Sequence, residues 1–394
     1  MRRRPWLAVA VLCFALIFRV TLVPTADQDS GVFTWCILCG DAGLADFIAN
    51  VILFVPVALA LRFAGVPAWK IVVGLCLMSA AIEIVQLWIP GRESALGDIC
   101  ANTLGAALGV ALASWWPRRR RSALAALGCA AAVLAAIGTA GALLLPRFPA
   151  EEYYVQWNGD RTPYPNYGGR VLSAAIGGMP LPWAPLANSE AARERLQRGD
   201  TLLVRVVAVP APRWPSQLFG ISDVRNLDLV VLAVEHDDFL FRLHTEAPSL
   251  LLREPDLRWP HALAGTAAGD TLTIAAWRTG RTNCLRLNGR TRCGVAYATD
   301  QVWTLIAALP LRFTGWGTAV GWAFVALLGL AVGVLAPRSA RGGLAVGLLL
   351  VGMAVLPALV GLQPLTPRDG GALLAGIVAG LVVPMGGRTR QLHT

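Results

Sequence analysis

Long apolar segments dominate this sequence and constrain its fold more than any other feature. Eight of them approach or exceed about 20 residues, the length that an α-helix needs to cross a bilayer. They lie near residues 5–24, 47–64, 68–89, 97–116, 122–145, 315–336, 342–362 and 370–386. Charged residues make up only 15% of the chain, whereas soluble globular proteins carry about 25%. These features predict a polytopic α-helical membrane protein with about eight spans.

Basic residues flank the predicted spans on alternate links, and their positions predict the orientation in the membrane. They cluster at residues 2–4, 62–70, 118–121, 338–341 and 388–390, whereas the remaining short links carry acidic residues. Because basic residues stay on the cytoplasmic side, we expect a multi-pass protein of the cytoplasmic (inner) membrane with both termini in the cytoplasm. The net charge of +10 is therefore explained by topology. The lipid bilayer is the predicted partner, and nucleic acid is not.

The spans divide the chain into three predicted domains, covering residues 1–145, 146–312 and 313–394. The first holds five spans and the last holds three, whereas the middle is polar and extracytoplasmic in this topology. Short alternating segments separated by turns predict strands at residues 201–209, 227–235, 239–244, 270–278 and 283–287. This pattern favours an antiparallel β-sandwich or jelly roll, with one short helix at 190–198. The predicted fold class is mixed: a helical membrane protein with an inserted all-β domain.

Cysteine positions agree with this topology. Cys284 and Cys293 flank an Asn-Gly sequence that favours a tight hairpin turn, so the spacing predicts a disulfide between the two facing strands. Cys36 and Cys39 form a Cys-x-x-Cys in the first outer link, where we favour a structural disulfide over redox activity or zinc binding. The other cysteines lie inside apolar segments, where a thiol behaves as a small hydrophobic group.

No motif in the sequence indicates a cofactor or a metal. A phosphate-binding glycine loop, a nucleophile elbow and a His-Glu-x-x-His motif are all missing from the sequence. Asp237-Asp238 is interpreted as a turn, with a calcium site at the rim of the β domain as the weaker alternative. We therefore expect neither a cofactor nor a metal.

Seven polar residues interrupt the second, third and fourth spans and one link between them. They are Asp46, Asn50, Glu83, Gln86, Arg92, Asp98 and Asn102, called the polar cluster below. Pairs spaced three or four residues apart share a helix face, and the topology places the whole cluster near the outer membrane edge. Ionisable groups at such positions are costly, which makes them functional candidates. A hydrogen-bonded network that only joins the helices is the alternative.

The order and spacing of the polar cluster resemble the VanZ-like family over about residues 5–116. The matching motifs are Asp46-x-x-x-Asn50-x-x-x-Phe54-x-Pro56, Glu83-x-x-Gln86, Pro90-Gly91-Arg92 and Asp98-x-x-x-Asn102-x-x-Gly105. The segment 93–97 departs from the family, which often has a second acidic or polar residue close to the arginine. The family is named for a protein that gives low-level teicoplanin resistance, and its biochemical activity is poorly defined. The resemblance therefore implies a role in the cell envelope, linked to glycopeptide resistance.

The middle domain resembles concanavalin A-like, LamG-type jelly rolls. The matching segments are 218–222, 229–235, 239–243, 270–277, 284–289 and Trp303. This resemblance implies either sugar binding or a scaffold role. Aromatic rings that could stack on a sugar are Trp157, Tyr164, Tyr167, Trp183 and Trp214, with packing in the core as the alternative.

These observations favour a protein that binds a lipid-linked or cell-wall glycan intermediate at the outer membrane edge. In this hypothesis Arg92 and Arg19 contact an anionic head group, and Glu83 and Asp98 orient Arg92 or exchange protons. Asn50, Gln86 and Asn102 provide hydrogen bonds, and Asp46 is a further ligand-binding candidate.

Three alternatives remain at this stage. The first is a hydrolase or transferase that uses Glu83 or Asp98 as general base. The second is a proton- or ion-coupled transporter, and the third is a structural assembly factor. Enzymatic activity therefore stays open.

The predicted topology can be tested by labelling. A cysteine introduced at position 238 is expected to react with a membrane-impermeant maleimide added to intact cells, because the middle domain is predicted to lie outside. Labelling only after the membrane is ruptured would contradict the orientation.

Overall fold

The computed structural model describes residues 3–24, 32–116, 121–158, 167–213, 215–307 and 316–383. Within these ranges the chain forms α1 (Arg3–Thr21), α2 (Gly43–Phe63), α3 (Ala68–Gln86), α4 (Leu96–Trp115), α5 (Ala123–Leu143), α6 (Ser189–Arg198), α7 (Gly317–Leu335), α8 (Ala340–Leu359) and α9 (Pro367–Val382). Several residues used in the sequence predictions lie outside the described ranges, namely Arg2, Arg118 to Arg120, Tyr164, Trp214, Arg388 and Arg390.

Seven of the described helices, α1 to α5 with α7 and α8, are long and apolar enough to cross a bilayer. The eighth predicted span corresponds to α9, a 16-residue helix. The prediction of a polytopic helical membrane protein is therefore confirmed.

The membrane helices pack as two bundles. In the first, α1 to α4 enclose an apolar core that includes Ile17, Phe54, Val57, Ile71 and Ile82. In the second, α5 packs against α8 and α7, and α7 packs along α9. The sequence grouped α5 with the first four helices, whereas its main packing partners are the C-terminal helices.

The region between α5 and α7 is a β-sandwich, with two further short strands in the first membrane domain. The strands are β1 (Phe33–Thr34), β2 (Ser94–Ala95), β3 (Tyr153–Trp157), β4 (Arg170–Ile176), β5 (Met179–Pro180), β6 (Leu202–Val207), β7 (Ser216–Asp223), β8 (Asp228–Glu235), β9 (Asp238–Leu243), β10 (Leu257–Trp259), β11 (Thr271–Thr279), β12 (Thr282–Leu287) and β13 (Arg290–Val295). One sheet has the order β10-β9-β8-β7-β3, and the other has the order β13-β12-β11-β6-β4-β5. The inserted all-β domain is therefore confirmed.

Alternation along β6 shows how this strand contributes to the sandwich core. In β6, Leu202, Val204 and Val206 are buried, whereas the intervening Leu203 and Arg205 face outward, as expected for side chains that alternate between two faces. The five predicted strands correspond to β6, β8, β9, β11 and β12. The predicted short helix corresponds to α6.

The predicted hairpin joins β12 to β13. Asn288 and Gly289 both have positive φ, 46° and 85°, as required by the tight turn that suits a right-twisted hairpin. Cys284 and Cys293 form the predicted disulfide, and Cys36 and Cys39 are also bonded to each other.

Exposed tryptophans mark both ends of the membrane helices. Trp35, Trp88 and Trp316 are exposed at the ends nearest the β-sandwich, which we call the sandwich side. Trp69 and Trp115 are exposed at the opposite ends. Tryptophan prefers the two interfaces of a bilayer, so the membrane lies between these two belts.

Helices α2 and α4 approach closely because small residues line their contact. A Cβ atom at Gly105 would lie 2.3 Å from the Val51 carbonyl oxygen, and one at Gly109 would lie 2.5 Å from the Val55 carbonyl oxygen. Small residues at four-residue spacing allow such contacts between membrane helices. This close packing holds the α2 and α4 members of the polar cluster together.

Gly105→Ala is expected to destabilise the protein by about 1–3 kcal/mol, because the added methyl group would force the two backbones apart. Gly74→Ala on α3 is the matched control, since no atom lies within 4 Å of its added Cβ. Thermal unfolding in detergent measures both variants. Equal melting temperatures for the two would contradict the packing argument.

Candidate functional site

The polar cluster lies at the sandwich-side ends of α2, α3 and α4 and in the link between α3 and α4. Glu83, Gln86 and Asn102 are buried, whereas Asp46, Asn50, Arg92 and Asp98 are partly buried. The seven residues therefore occupy one region of the first bundle, as their order in the sequence indicated.

Glu83 anchors the start of α4. Its side chain is 2% exposed, and its Oε2 accepts a hydrogen bond of 2.9 Å from the backbone N–H of Ala95. The Ser94 hydroxyl donates to the Glu83 carbonyl oxygen at 2.7 Å. Ser94 and Ala95 form β2, which pairs in parallel with β1. This carboxylate therefore ties the end of α3 to the strand that precedes α4.

Two further contacts join helices inside the bundle. Asn50 Nδ2 donates to Asp98 Oδ1 at 2.6 Å, which links α2 to α4. Asn102 Nδ2 donates to the Ser79 hydroxyl at 2.9 Å, which links α4 to α3. No sequence signal distinguishes Ser79, because serine is common in membrane helices.

Arg92 contacts the C-terminal end of α1 and the residues just after it. Its Nε donates to the Val23 carbonyl at 2.9 Å, and one terminal nitrogen donates to the Val20 carbonyl at 2.5 Å. Gln86 Nε2 donates to the Thr21 carbonyl at 2.9 Å. These side chains satisfy carbonyl groups at the C-terminal end of α1, which lack partners within the helix.

Burial of the Arg92 guanidinium lowers its pKa, and the nearby charges of Asp98 and Glu83 oppose that shift. Arginine stays protonated in proteins even so. Arg92 is therefore a partly buried cation that the carbonyls at the end of α1 and two nearby acids stabilise. Arg19 is exposed in the last turn of α1 and makes no ion pair within the described part of the chain.

The β-sandwich contributes an arginine that the sequence analysis did not find. Arg253 forms an ion pair of 2.5 Å with Asp46, and the Leu251 carbonyl accepts the backbone N–H of Ala45 at 3.1 Å. Both contacts fall on the first turn of α2. The polar cluster is therefore shared between the first bundle and the sandwich, and no local sequence signal connects positions 46 and 253.

A cleft of about 1860 Å³ lies where the sandwich meets the membrane helices. Its walls include the ends of β8, β9 and β10, and its floor includes Asp41 and Ala42 before α2, and Gly317 and Thr318 at the start of α7. Arg253, the partner of Asp46, also lines it. The polar cluster therefore adjoins a cavity large enough for a sugar-sized head group.

Charges in the cleft are mixed rather than predominantly positive. Six arginines and seven acidic residues line it. Most of these arginines are already paired, as in Arg242 with Asp256 and Arg225 with Glu151. Such a lining offers alternating donors and acceptors, which suits hydroxyl groups better than it suits a free anion.

Two amide oxygens of the polar cluster are buried without a hydrogen-bond partner, Gln86 Oε1 and Asn102 Oδ1. An unsatisfied buried acceptor costs about 1–3 kcal/mol. Each is therefore a place where a donor from a bound molecule would be stabilising.

The aromatic residues proposed for sugar stacking differ in exposure. Trp157 donates its ring N–H to the Leu181 carbonyl at 3.1 Å, and Tyr167 is buried in the sandwich core. Trp183 is exposed. Trp303 lines the cleft, and its ring nitrogen is buried without a partner.

Asp237, Asp238 and His261 bring possible metal ligands within 4.8 Å of one another. The Asp238 carboxylate is already occupied, since it accepts the backbone N–H of His261 and pairs with Arg258. The hydrogen bond to Asp237 raises the pKa of His261, which favours the protonated ring that cannot bind a metal. The group is a hydrogen-bonded turn.

A comparison with known families supports the resemblance of the first four helices to the VanZ-like family. The VanZ/LLP1 family model matches residues 6–117, which cover α1 to α4 and none of the sandwich. No curated protein and no solved structure matches the chain. Residues 6–117 are therefore a VanZ-like domain, joined in this chain to a β-sandwich and a second helical bundle.

Two substitutions at Glu83 separate its structural role from its charge. Glu83→Gln is expected to fold normally, because the amide oxygen can still accept the Ala95 N–H. Glu83→Leu leaves that N–H unsatisfied and should cost about 1–3 kcal/mol. Thermal unfolding in detergent is the measurement. An equal fall in melting temperature for both variants would contradict the hydrogen-bonding role.

Proposed function

We propose that this protein binds the polar head of a lipid-linked or cell-wall glycan intermediate at the outer face of the cytoplasmic membrane. In this proposal both termini lie in the cytoplasm and the sandwich side faces outward. The VanZ family is associated with envelope proteins and glycopeptide resistance. Protection of a glycan intermediate from glycopeptide drugs is accordingly the role that we propose in the cell.

The observation that carries this proposal is the cleft above the first bundle. A lipid-linked molecule has its tail in the bilayer and its head at the interface, so a head-group site must lie at the membrane surface. The cleft meets this requirement because its floor is formed by the first residues before α2 and the start of α7. Its mixed lining matches sugar hydroxyls, which both donate and accept hydrogen bonds.

Residues of the polar cluster take different roles in this proposal. Asp46 positions Arg253 at the cleft, and Asn50 with Asp98 holds α2 against α4 below it. Gln86 and Asn102 hold the helices together, through the Thr21 carbonyl and the Ser79 hydroxyl. Arg92 and Glu83 position α1 and the start of α4, and Arg19 remains a candidate for contact with charged head groups because it is exposed.

The sandwich supplies the recognition surface in this account. We propose that it is a concanavalin A-like domain, a class in which two antiparallel sheets carry sugar sites. Trp303 and Trp183 are the aromatic candidates for stacking on a sugar ring.

The enzymatic alternative with Glu83 or Asp98 as general base has less support. Glu83 is 2% exposed and its Oε2 is engaged by Ala95. Asp98 accepts a hydrogen bond from Asn50. A general base must reach the proton that it removes, and neither carboxylate is among the residues that line the cleft.

Binding measurements in lipid nanodiscs test the proposal. The probe is a fluorescent polyprenyl diphosphate that carries a disaccharide, compared with the same lipid without sugar. Arg253→Gln should weaken binding of the glycosylated probe about tenfold, equivalent to about 1.4 kcal/mol, because one wall of the cleft loses its charge and its link to Asp46.

Arg205→Gln is the matched control, because Arg205 is exposed on β6 and does not line the cleft. The Arg205→Gln variant should bind the glycosylated probe as tightly as the wild type does. Equal affinity for the two lipids, or equal weakening in the two variants, would contradict the proposal.

A further inference from the structure

A histidine–carboxylate pair lies in the wall of the cleft, separate from the polar cluster. His244 directly follows β9 and is 5% exposed. Its Nδ1 lies 2.8 Å from Glu254 Oε1. Both residues line the cleft. Buried histidines with a carboxylate partner inside a large cavity are candidates for proton transfer.

The carboxylate of the pair is held rigidly. Glu254 Oε1 accepts the backbone N–H of Thr245 at 2.6 Å and the Thr245 hydroxyl at 3.1 Å. The Glu254 side chain is 10% exposed. A carboxylate held by such fixed donors can orient an imidazole ring.

The imidazole is close to Glu254 without forming a well-directed hydrogen bond, since Nδ1 has no hydrogen-bond partner of good geometry. Catalytic hydrogen bonds are often poorly aligned before a substrate binds. The geometry is therefore compatible with a ring that aligns when the cleft is filled.

A second charged pair lies beside the first. Arg242 and His244 are two residues apart and so share one face of an extended segment. Glu254 and Asp256 have the same spacing in the facing segment. Arg242 Nε donates to Asp256 Oδ1 at 2.8 Å. Arg242, Glu254 and Asp256 all interact electrostatically with the buried Tyr297. The guanidinium and its carboxylate partner therefore lie in the same wall of the cleft as His244.

We propose that His244 and Glu254 form a catalytic pair that hydrolyses an O-acyl ester on the head group bound in the cleft. His244 Nε2 accepts a proton from water while the water oxygen forms a bond to the ester carbonyl carbon. The carbon–oxygen bond to the leaving alkoxide then breaks, and the imidazolium returns the proton to that alkoxide. The products are a carboxylic acid and an alcohol, and no other reactant is needed.

The lining of the cleft favours a neutral ester over other substrates. A phosphodiester is anionic, and the arginines here are largely neutralised by paired acids. Glycosidases need a carboxylic acid that is available to donate a proton, whereas Glu254 is occupied by three contacts.

The chain contains a matched control for this chemistry. His261 and Asp237 form a similar pair, with Nδ1 2.7 Å from Oδ2. His261 is exposed and does not line the cleft. Substitution of His261 removes a comparable imidazole without altering the proposed site.

The experiment measures hydrolysis of p-nitrophenyl acetate by the full chain purified in detergent. We expect turnover above that of buffer, a fall of about 100-fold or more in kcat for His244→Gln, and no change for His261→Gln. Glu254→Gln should lower kcat with little effect on KM, because it acts by orienting the imidazole. Circular dichroism and gel filtration show whether each variant is folded.

Two results would overturn the proposal. One is a wild-type chain that hydrolyses the ester no faster than buffer. This result does not depend on whether any variant folds. The other is a folded His244→Gln variant with the activity of His261→Gln. Failure of the glycan-binding proposal is distinguishable, since it is read from affinity for the lipid probe and not from turnover.

Discussion

Polar groups buried at a bilayer edge need hydrogen-bond partners, and this requirement shapes the first bundle of the protein. Arg92 and Gln86 satisfy carbonyl groups at the end of α1, and Glu83 satisfies the N–H of Ala95 before α4. These partners are backbone groups at helix ends, where the helix cannot satisfy them itself. The polar cluster therefore positions helix ends first, and any role in ligand binding is built on that arrangement.

The ion pair between Asp46 and Arg253 extends this arrangement to the β-sandwich. The segment from Leu251 to Leu257 makes contacts in two directions. Leu251 and Arg253 contact α2, whereas Glu254 and Asp256 contact the end of β9. One short stretch of chain thus connects the cleft to the first turn of α2. This continuity is the physical reason to treat the cleft and the polar cluster as one functional region.

Local patterns allowed much of this fold to be predicted from the sequence. Apolar length identified the membrane helices, alternation identified β6, and the Asn288-Gly289 turn identified the disulfide-linked hairpin. Contacts between distant residues were not predictable in the same way. The partner of Arg92 is a pair of carbonyl groups on α1, and backbone groups have no signature in the sequence. No sequence signal distinguishes Arg253 from the other arginines, and only the fold shows that it lies beside Asp46.

The central claim is that the cleft beside the VanZ-like domain holds a glycan head group. The most direct measurement is photo-crosslinking with a polyprenyl-linked disaccharide that carries a diazirine on the sugar, followed by peptide mapping. The account predicts crosslinks in segments 251–257 and 296–304, which border the cleft, and their loss when unlabelled glycan lipid competes. Crosslinks confined to the lipid-facing surfaces of the membrane helices, and unaffected by competitor, would contradict it.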